Sequence, residues 1–462
     1  MTMTDYGANY WLDDCSDDLT RRPALVGDET VDVAILGGGF SGLWTAYFLL
    51  RADPGLLVAV IEQQFCGYGA SGRNGGWCSP RYPMLVDELE KHFGTEAARA
   101  TIRAQHATID DIGQIIAEEG IEAHFTPGGM LSVARTQRQM AGLNATYASY
   151  ARLGLADDTR MLTADESCAL IDVTGVIGAM KTEAGASIHP ARLVRGLARA
   201  VERHGGRIYE GTTVTGVRPG RPALLETAGG VITARRAVVL AGEAYLAGLP
   251  AYHRQLLPMS SMIVATAPLD AATWGAIGWQ GYESLSSGAY TKDYLTRTRD
   301  GRILFGSRGA PYLSGSAMPE AALAKAALYG PIIDNLRQWF PVLRDVPITH
   351  AWGGYLGVPR DGMPSVHYDP ATGIGNAFGY TGRGVATTAL AGRALAGLIG
   401  GVADYVPDLP MLRAPGPQWE MEPLRWIGVR YIQNAFARID EADFRDGSVP
   451  LDARLAKRLA PI

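Results

Sequence analysis

Cysteine is scarce and scattered. Cys15, Cys66, Cys78 and Cys168 share no CxxC spacing and keep company with no histidine cluster, so neither a metal site nor a disulfide framework is supported. Only Lys91, Lys181, Lys292, Lys325 and Lys457 are lysines, and a net charge of −5 leaves no basic footprint for nucleic acid. No uninterrupted apolar run reaches the roughly eighteen residues of a membrane span. No charged segment followed by an apolar one opens the chain, so a cytoplasmic location is the default expectation. A second glycine-rich nucleotide motif is also missing, which disfavours an NADPH-reduced enzyme or a disulfide reductase. The length of 462 residues exceeds what one hydrophobic core serves, so two domains are expected.

What is present is concentrated between Val31 and Glu62. Val31, Val33, Ala34, Ile35 and Leu36 form an apolar run suited to a parallel strand buried on both faces. Gly37, Gly39 and Gly42 follow as GxGxxG, with Phe40 and Ser41 between them. The first glycine permits a tight turn, the second lets backbone approach a pyrophosphate, and the third lets helix pack on strand. A helix continues to Asp53-Pro54-Gly55, and a second apolar strand ends at Glu62-Gln63, where a carboxylate is positioned to accept ribose hydroxyls. This is a dinucleotide-binding βαβ unit.

The next segment favours FAD over NAD. Gly67 to Gly76 carries Gly69, Ala70, Ser71, Arg73, Asn74, Gly75 and Gly76, a loop able to lie flat against a large planar ligand. Its amides can bond pyrophosphate and flavin heteroatoms, Arg73 offers a fixed charge, and Asn74 a donor and an acceptor. Cys66 and Cys78 flank the loop, either as packing thiols or in a redox or flavin-linking role.

On these residues, on GASGRNGG (69–76) and on the later TGRGV (381–385), the chain resembles the D-amino-acid oxidase superfamily of flavoproteins, within it the branch of γ-glutamylputrescine and glycine-sarcosine oxidases. The resemblance implies an α/β Rossmann-like FAD-binding domain, discontinuous in sequence, with an α+β substrate domain of sheet plus helices. It places residues 1–121, 187–250 and 346–405 in the first, 122–186 and 251–345 in the second, and 406–462 in a C-terminal helical extension. Cofactor contacts are further expected at Val214, beside the adenine, at Ala241, Gly242 and Gly353, and at Gly382, Arg383, Gly384 and Val385. There a helix N-terminus would face the pyrimidine edge of the flavin. Sarcosine oxidases tether flavin through a cysteine in their C-terminal third; that third has none here, which implies non-covalent FAD. They also use a lysine over the flavin to activate oxygen, and the comparable stretch Arg302 to Gly306 has none, so the acceptor stays open between oxygen and a quinone or protein.

The implied activity is FAD-dependent oxidation of an amine or amino acid by hydride transfer, giving an imine that hydrolyses. The alternative is a dehydrogenase or electron-transfer subunit. No catalytic acid or base is assigned. Arg308, Tyr290, Trp352 and Tyr355 are the substrate-lining candidates, with Arg308 read either as a carboxylate clamp or as a structural ion pair. His189, before the helix-starting Pro190, reads as a cap rather than a base. Leu424, Ile427, Tyr431, Ala435, Phe436 and Ile439 form an apolar stripe, with Asp440, Glu441 and Asp443 on the polar side.

Overall fold

The computed structural model of the protein describes residues 9–460 except Ser16, Asp18 and Lys292, and of Arg308 the backbone only. The strand Glu29–Leu36 forms where the apolar run predicts it, with Val33, Ala34 and Ile35 fully buried. It pairs in parallel with Gly230–Leu240 on one side and Val58–Ile61 on the other, and Arg207–Tyr209 extends the latter. Gly230–Leu240 serves two partners. Its first half carries the antiparallel meander Val214–Arg218 and Ala223–Thr227, while Val238, Val239 and Leu240 pair in parallel with Ile374–Phe378.

Helices cover this sheet, and two of them matter for the site. Phe40–Ala52 and Gly384–Gly400 are built largely from small and apolar residues and are almost wholly buried. They pack closely at Gly392, where a Cβ would lie 2.7 Å from that of Trp44, so only glycine admits the contact.

The second sheet runs Ile348–Pro359, Leu256–Thr266, Ile303–Arg308, Tyr294–Arg297, Ser284–Ser287, Met130–Ala134, Gly178–Thr182 and Thr159–Thr163. The expected division gave residues 346–405 to the nucleotide domain, whereas Ile348–Pro359 pairs with Leu256–Thr266 along its whole length. Alternation is hard to see there because both faces of Trp352 to Tyr355 are covered, and that obscured the strand in sequence. Between Ile303–Arg308 and Ile348–Pro359 the chain forms Glu320–Leu323, a 3-10 turn at Ala326–Leu328, and Gly330–Trp339.

The C-terminal helix Leu424–Asp446 is present and buries the second half of its expected stripe, Ala435, Phe436 and Ile439, but not the first. Leu424 and Ile427 are exposed, while Asp440 and Asp443 are buried against the body of the protein. Their partners explain it: Arg138 bonds Asp440 at 3.1 Å and Asp443 at 2.9 Å, and Thr136 Oγ1 donates to Asp443 at 2.7 Å. No helix among the described residues is long and apolar enough to cross a membrane.

Candidate active site

A cleft of about 1090 Å3 runs between the two sheets, lined at one end by Glu62, Gln63 and Val214 and at the other by Tyr290 and Phe436. Most of the expected cofactor residues converge on it: Gly37, Gly39, Phe40 and Ser41, Gly69 to Ser71, Arg73 to Gly75, Ala241 and Gly242, and Gly382 to Val385. Gly42, Gly76 and Gly353 do not line it. Gly42 instead permits a chain crossing, since a Cβ there would meet the Gly37 carbonyl oxygen at 2.0 Å.

Local sequence builds the nucleotide end. Gly37 adopts φ +109°, which favours glycine, and turns the chain into a helix whose N-cap, Gly39, has no side-chain cap. Gly384–Gly400 likewise begins uncapped, at Arg383. Two helix N-termini therefore present their first-turn amides at the cleft, the arrangement that binds phosphate and other anions. Part of this is already answered internally, as Phe40 N donates to Ser71 Oγ at 2.8 Å. Glu62 accepts from Gly38 N at 2.8 Å and Gln64 N at 2.9 Å, one bond per oxygen, leaving lone pairs for hydroxyl donors. Burial raises its pKa, against the pull of those amides.

The glycine-rich loop differs from its reading in sequence. Asn74 uses both ends of its amide inside the loop, accepting from Gly76 N at 2.9 Å and donating to the Ser71 carbonyl at 3.1 Å. Arg73 donates to the Tyr68 carbonyl at 2.7 Å and pairs with Glu320 at 3.0 Å. Gly75 makes room for a protein ring, because a Cβ there would meet Tyr294 Cε2 at 2.5 Å. Distant side chains hold the loop's carbonyls: Asn9 Nδ2 bonds Gly72 O at 3.2 Å, and Trp352 Nε1 bonds Arg73 O at 2.9 Å. The N-terminal arm thus braces the loop.

Trp352 consequently does not line the cleft; it is buried behind the loop with Tyr10 and Trp11. Tyr355 and Tyr290 do line it. Tyr355 donates to Pro319 O at 3.1 Å, and Tyr290 stacks on Phe436 with ring centres 4.9 Å apart. Arg308 ends its strand opposite Ser261, and its side chain lies outside the described residues. His189 caps Pro190–Arg203 by accepting from Arg192 N at 3.2 Å and stays away from the cleft. Neither Cys66 nor Cys78 lines the cleft, and burial pushes both thiols up in pKa.

Several cleft residues were missed in sequence. Tyr294 bonds Ser261 at 2.7 Å, and burial pushes its hydroxyl up to about 12. Glu243 accepts from Gly379 N at 2.9 Å and Tyr380 N at 3.3 Å, and burial raises it to about 7. Arg81 lines the inner wall, and Phe436, Gln433 and Lys457 of the C-terminal extension line the rim. None belongs to a motif, so no local signal marks them.

In sequence, residues 32–398 match the family described as FAD dependent oxidoreductase. The chain belongs to that family. This FAD-dependent oxidoreductase is similar to gamma-glutamylputrescine oxidoreductase of Escherichia coli (strain K12), 31% identical over 408 residues covering 87% of this chain and 92% of that protein. It is also similar to glycine oxidase of Geobacillus kaustophilus, 23% identical over 383 residues covering 80% and 92%. Its fold matches the crystal structure of glycine oxidase from Geobacillus kaustophilus, with a TM-score of 0.71 at 20% identity, covering 84% of this chain and all of that one. L-proline dehydrogenase from P. horikoshii matches with a TM-score of 0.66 at 20% identity, covering 83% and 96%. FAD is therefore the cofactor, and the residues fit it: two uncapped helix N-termini for an anion and a carboxylate with free lone pairs for a ribose.

Proposed function

We propose that the protein oxidises the carbon–nitrogen bond of a small amine or amino acid, in the manner of γ-glutamylputrescine oxidoreductase, and does so in the cytoplasm. One observation carries this reading: a single cleft joins the nucleotide cradle to an aromatic chamber walled by Tyr290, Tyr294, Tyr355 and Phe436. Bound FAD, held without a covalent link by Gly37 to Ser41, Glu62, the glycine-rich loop and Gly382 to Val385, supplies the two-electron acceptor. The chain's own task is to orient the amine and exclude water. No histidine is among the described cleft residues, and a substrate amine that arrives deprotonated needs no protein base. The resulting imine hydrolyses to a carbonyl compound and an amine.

The acceptor defines a second reading. Among the described residues only one lysine, Lys457, lines the cleft, and it stands exposed at the rim over the Tyr290 ring at 5.1 Å. The acceptor is accordingly open between oxygen and a quinone or protein. Reoxidation of the substrate-reduced enzyme by air and by a quinone decides: rapid hydrogen peroxide formation contradicts the dehydrogenase reading, and slow reoxidation by air with fast reoxidation by quinone supports it. For the reaction itself, one carbonyl product per two electrons passed to the acceptor is expected, and electron transfer without a carbonyl product would refute amine oxidation.

A further inference from the structure

We infer that the cleft holds a subsite for an apolar carbon chain or ring carried by the amine, and that the C-terminal extension supplies one of its walls. The inference rests on the amine-oxidation reading and adds a substrate class to it.

The floor of this subsite comes from the substrate sheet. Met259 and Leu356 are cross-strand partners on Leu256–Thr266 and Ile348–Pro359, and both line the cleft. Ser261 and Gly354 are the next pair on the same face, because side chains alternate along a strand. Leu356 adjoins the cofactor end, since a Cβ on Gly382 would lie 3.3 Å from its Cδ2. The floor therefore begins beside the turn that leads into Gly384–Gly400. The wall comes from the helix Leu424–Asp446. Val429, Ile432 and Phe436 fall at i, i+3 and i+7 on one side of that helix and line the same cleft. At a rise of about 1.5 Å per residue this wall is about 10 Å long. Met259 and Leu356 pack against the cluster that contains Val429, and Ile432 packs against the one that contains Phe436. Floor and wall are thus continuous, and Tyr290, stacked on Phe436, adjoins their outer end.

Met259, Leu356 and Ile432 are each only half-buried, although Val429 and Phe436 beside them are buried. Apolar surface is therefore left open inside the cleft instead of being consumed by the core. An occupant that covers it gains from the release of water, and the gain is largest for a group with no polar atoms of its own. The polar groups that border the subsite are engaged with one another. Ser261 Oγ bonds the Tyr294 hydroxyl at 2.7 Å, and Gln433 Oε1 accepts from Tyr312 N at 3.1 Å and from Arg430 Nη1 at 3.3 Å. Lys457 is exposed at the rim over the Tyr290 ring. A chain of several carbons entering from the cofactor end would lie along Leu356 and Met259 with Ile432 against its side.

The test uses oxidised holoenzyme and uncharged compounds that cannot be turned over, so it does not depend on amine oxidation. Propanamide, pentanamide, hexanamide and hexanediamide are titrated by calorimetry while the flavin absorbance is followed, on wild type and Ile432→Asn. Wild-type affinity should rise about fourfold per methylene from propanamide to hexanamide. Hexanamide should bind at least about tenfold more tightly than hexanediamide, which has the same number of carbons but ends in a second amide. Ile432→Asn should weaken hexanamide about tenfold and leave propanamide, too short to reach it, unchanged. Wild-type affinity that does not rise with chain length overturns the inference even if the variant fails to fold. So does an Ile432→Asn enzyme that weakens both amides equally or neither, or hexanamide binding that leaves the flavin absorbance unmoved, which would put the apolar site away from the cofactor. Failure of any amine to reduce the wild-type flavin would, by contrast, remove the proposed function and leave the chain-length result standing.

Discussion

The indole Nε1 of Trp11 donates to the backbone carbonyl of Asn74 at 2.7 Å, across 63 residues of sequence. Trp11 is buried, and its ring lies where a Cβ on Gly76 would come within 3.0 Å of it. An arm outside the matched family region thus fixes the glycine-rich loop that lines the cleft. Trp11→Phe keeps an aromatic ring against Tyr10 and His189 and removes the bond, a loss of about 1 kcal/mol. FAD binding, followed by fluorescence on reconstitution of the apoprotein, should weaken about fivefold; unchanged affinity would show that the arm only packs.

Flavin should copurify with the protein and be released intact by acid precipitation, since neither Cys66 nor Cys78 lines the cleft. Colour left on the precipitated chain would contradict non-covalent binding. Two glycine variants should separate fold from cofactor. In Gly39→Val the new Cβ meets only the Ser71 side chain, its Oγ at 2.9 Å, and the added methyls fill the space before the helix N-terminus, so a folded, colourless protein is expected. In Gly42→Ala the Cβ would meet a backbone oxygen at 2.0 Å, and loss of folded protein is expected, read by yield and circular dichroism.

Glu243 links stability to pH. Its carboxyl is raised by burial from 4.5 to about 7, so the folded state keeps a proton that the unfolded chain has released. The stabilisation is complete below pH 4.5 and is lost as pH rises to about 7, a change of about 3 kcal/mol. Urea unfolding across that window should show wild type losing stability with rising pH and Glu243→Gln lacking this component. Parallel pH profiles would mean the group titrates normally.

Asp440 joins the C-terminal extension to the substrate side by accepting from Tyr290 N at 3.0 Å and Thr291 N at 2.8 Å. Asp440→Asn exchanges one accepting oxygen for a donor and weakens the hold on Arg138, which should cost about 1–3 kcal/mol and lower Tm. Because Tyr290 lines the cleft, KM should rise several-fold with kcat little changed; an effect on Tm alone would make the extension a mere brace.

What was legible in sequence is what local residues dictate. The turn at Gly37, the uncapped helix starting at Phe40 and the acid at Glu62 are set by neighbours within one βαβ unit, and the structure puts them on the cleft. The reading failed where partners are distant. Asp440 looks like a solvated helix residue until Arg138, 302 positions away, is placed beside it. Trp352 sits next to glycines that suggest a ligand, yet strand register turns it behind the loop. Gly75 lines the cleft as expected, and its second role, making room for the Tyr294 ring, depends on a partner far away in sequence. Arg81 belongs to no motif, and only three dimensions bring it to the cleft.

The central claim, that this chain carries a flavin reduced directly by an amine, is tested most directly by anaerobic mixing. Holoenzyme is titrated with γ-glutamylputrescine, sarcosine, glycine and putrescine without oxygen, and the flavin absorbance is followed. The account predicts full bleaching by at least one amine bearing a carboxylate. A flavin that stays oxidised with every amine yet is reduced by NADPH or a partner protein would contradict it.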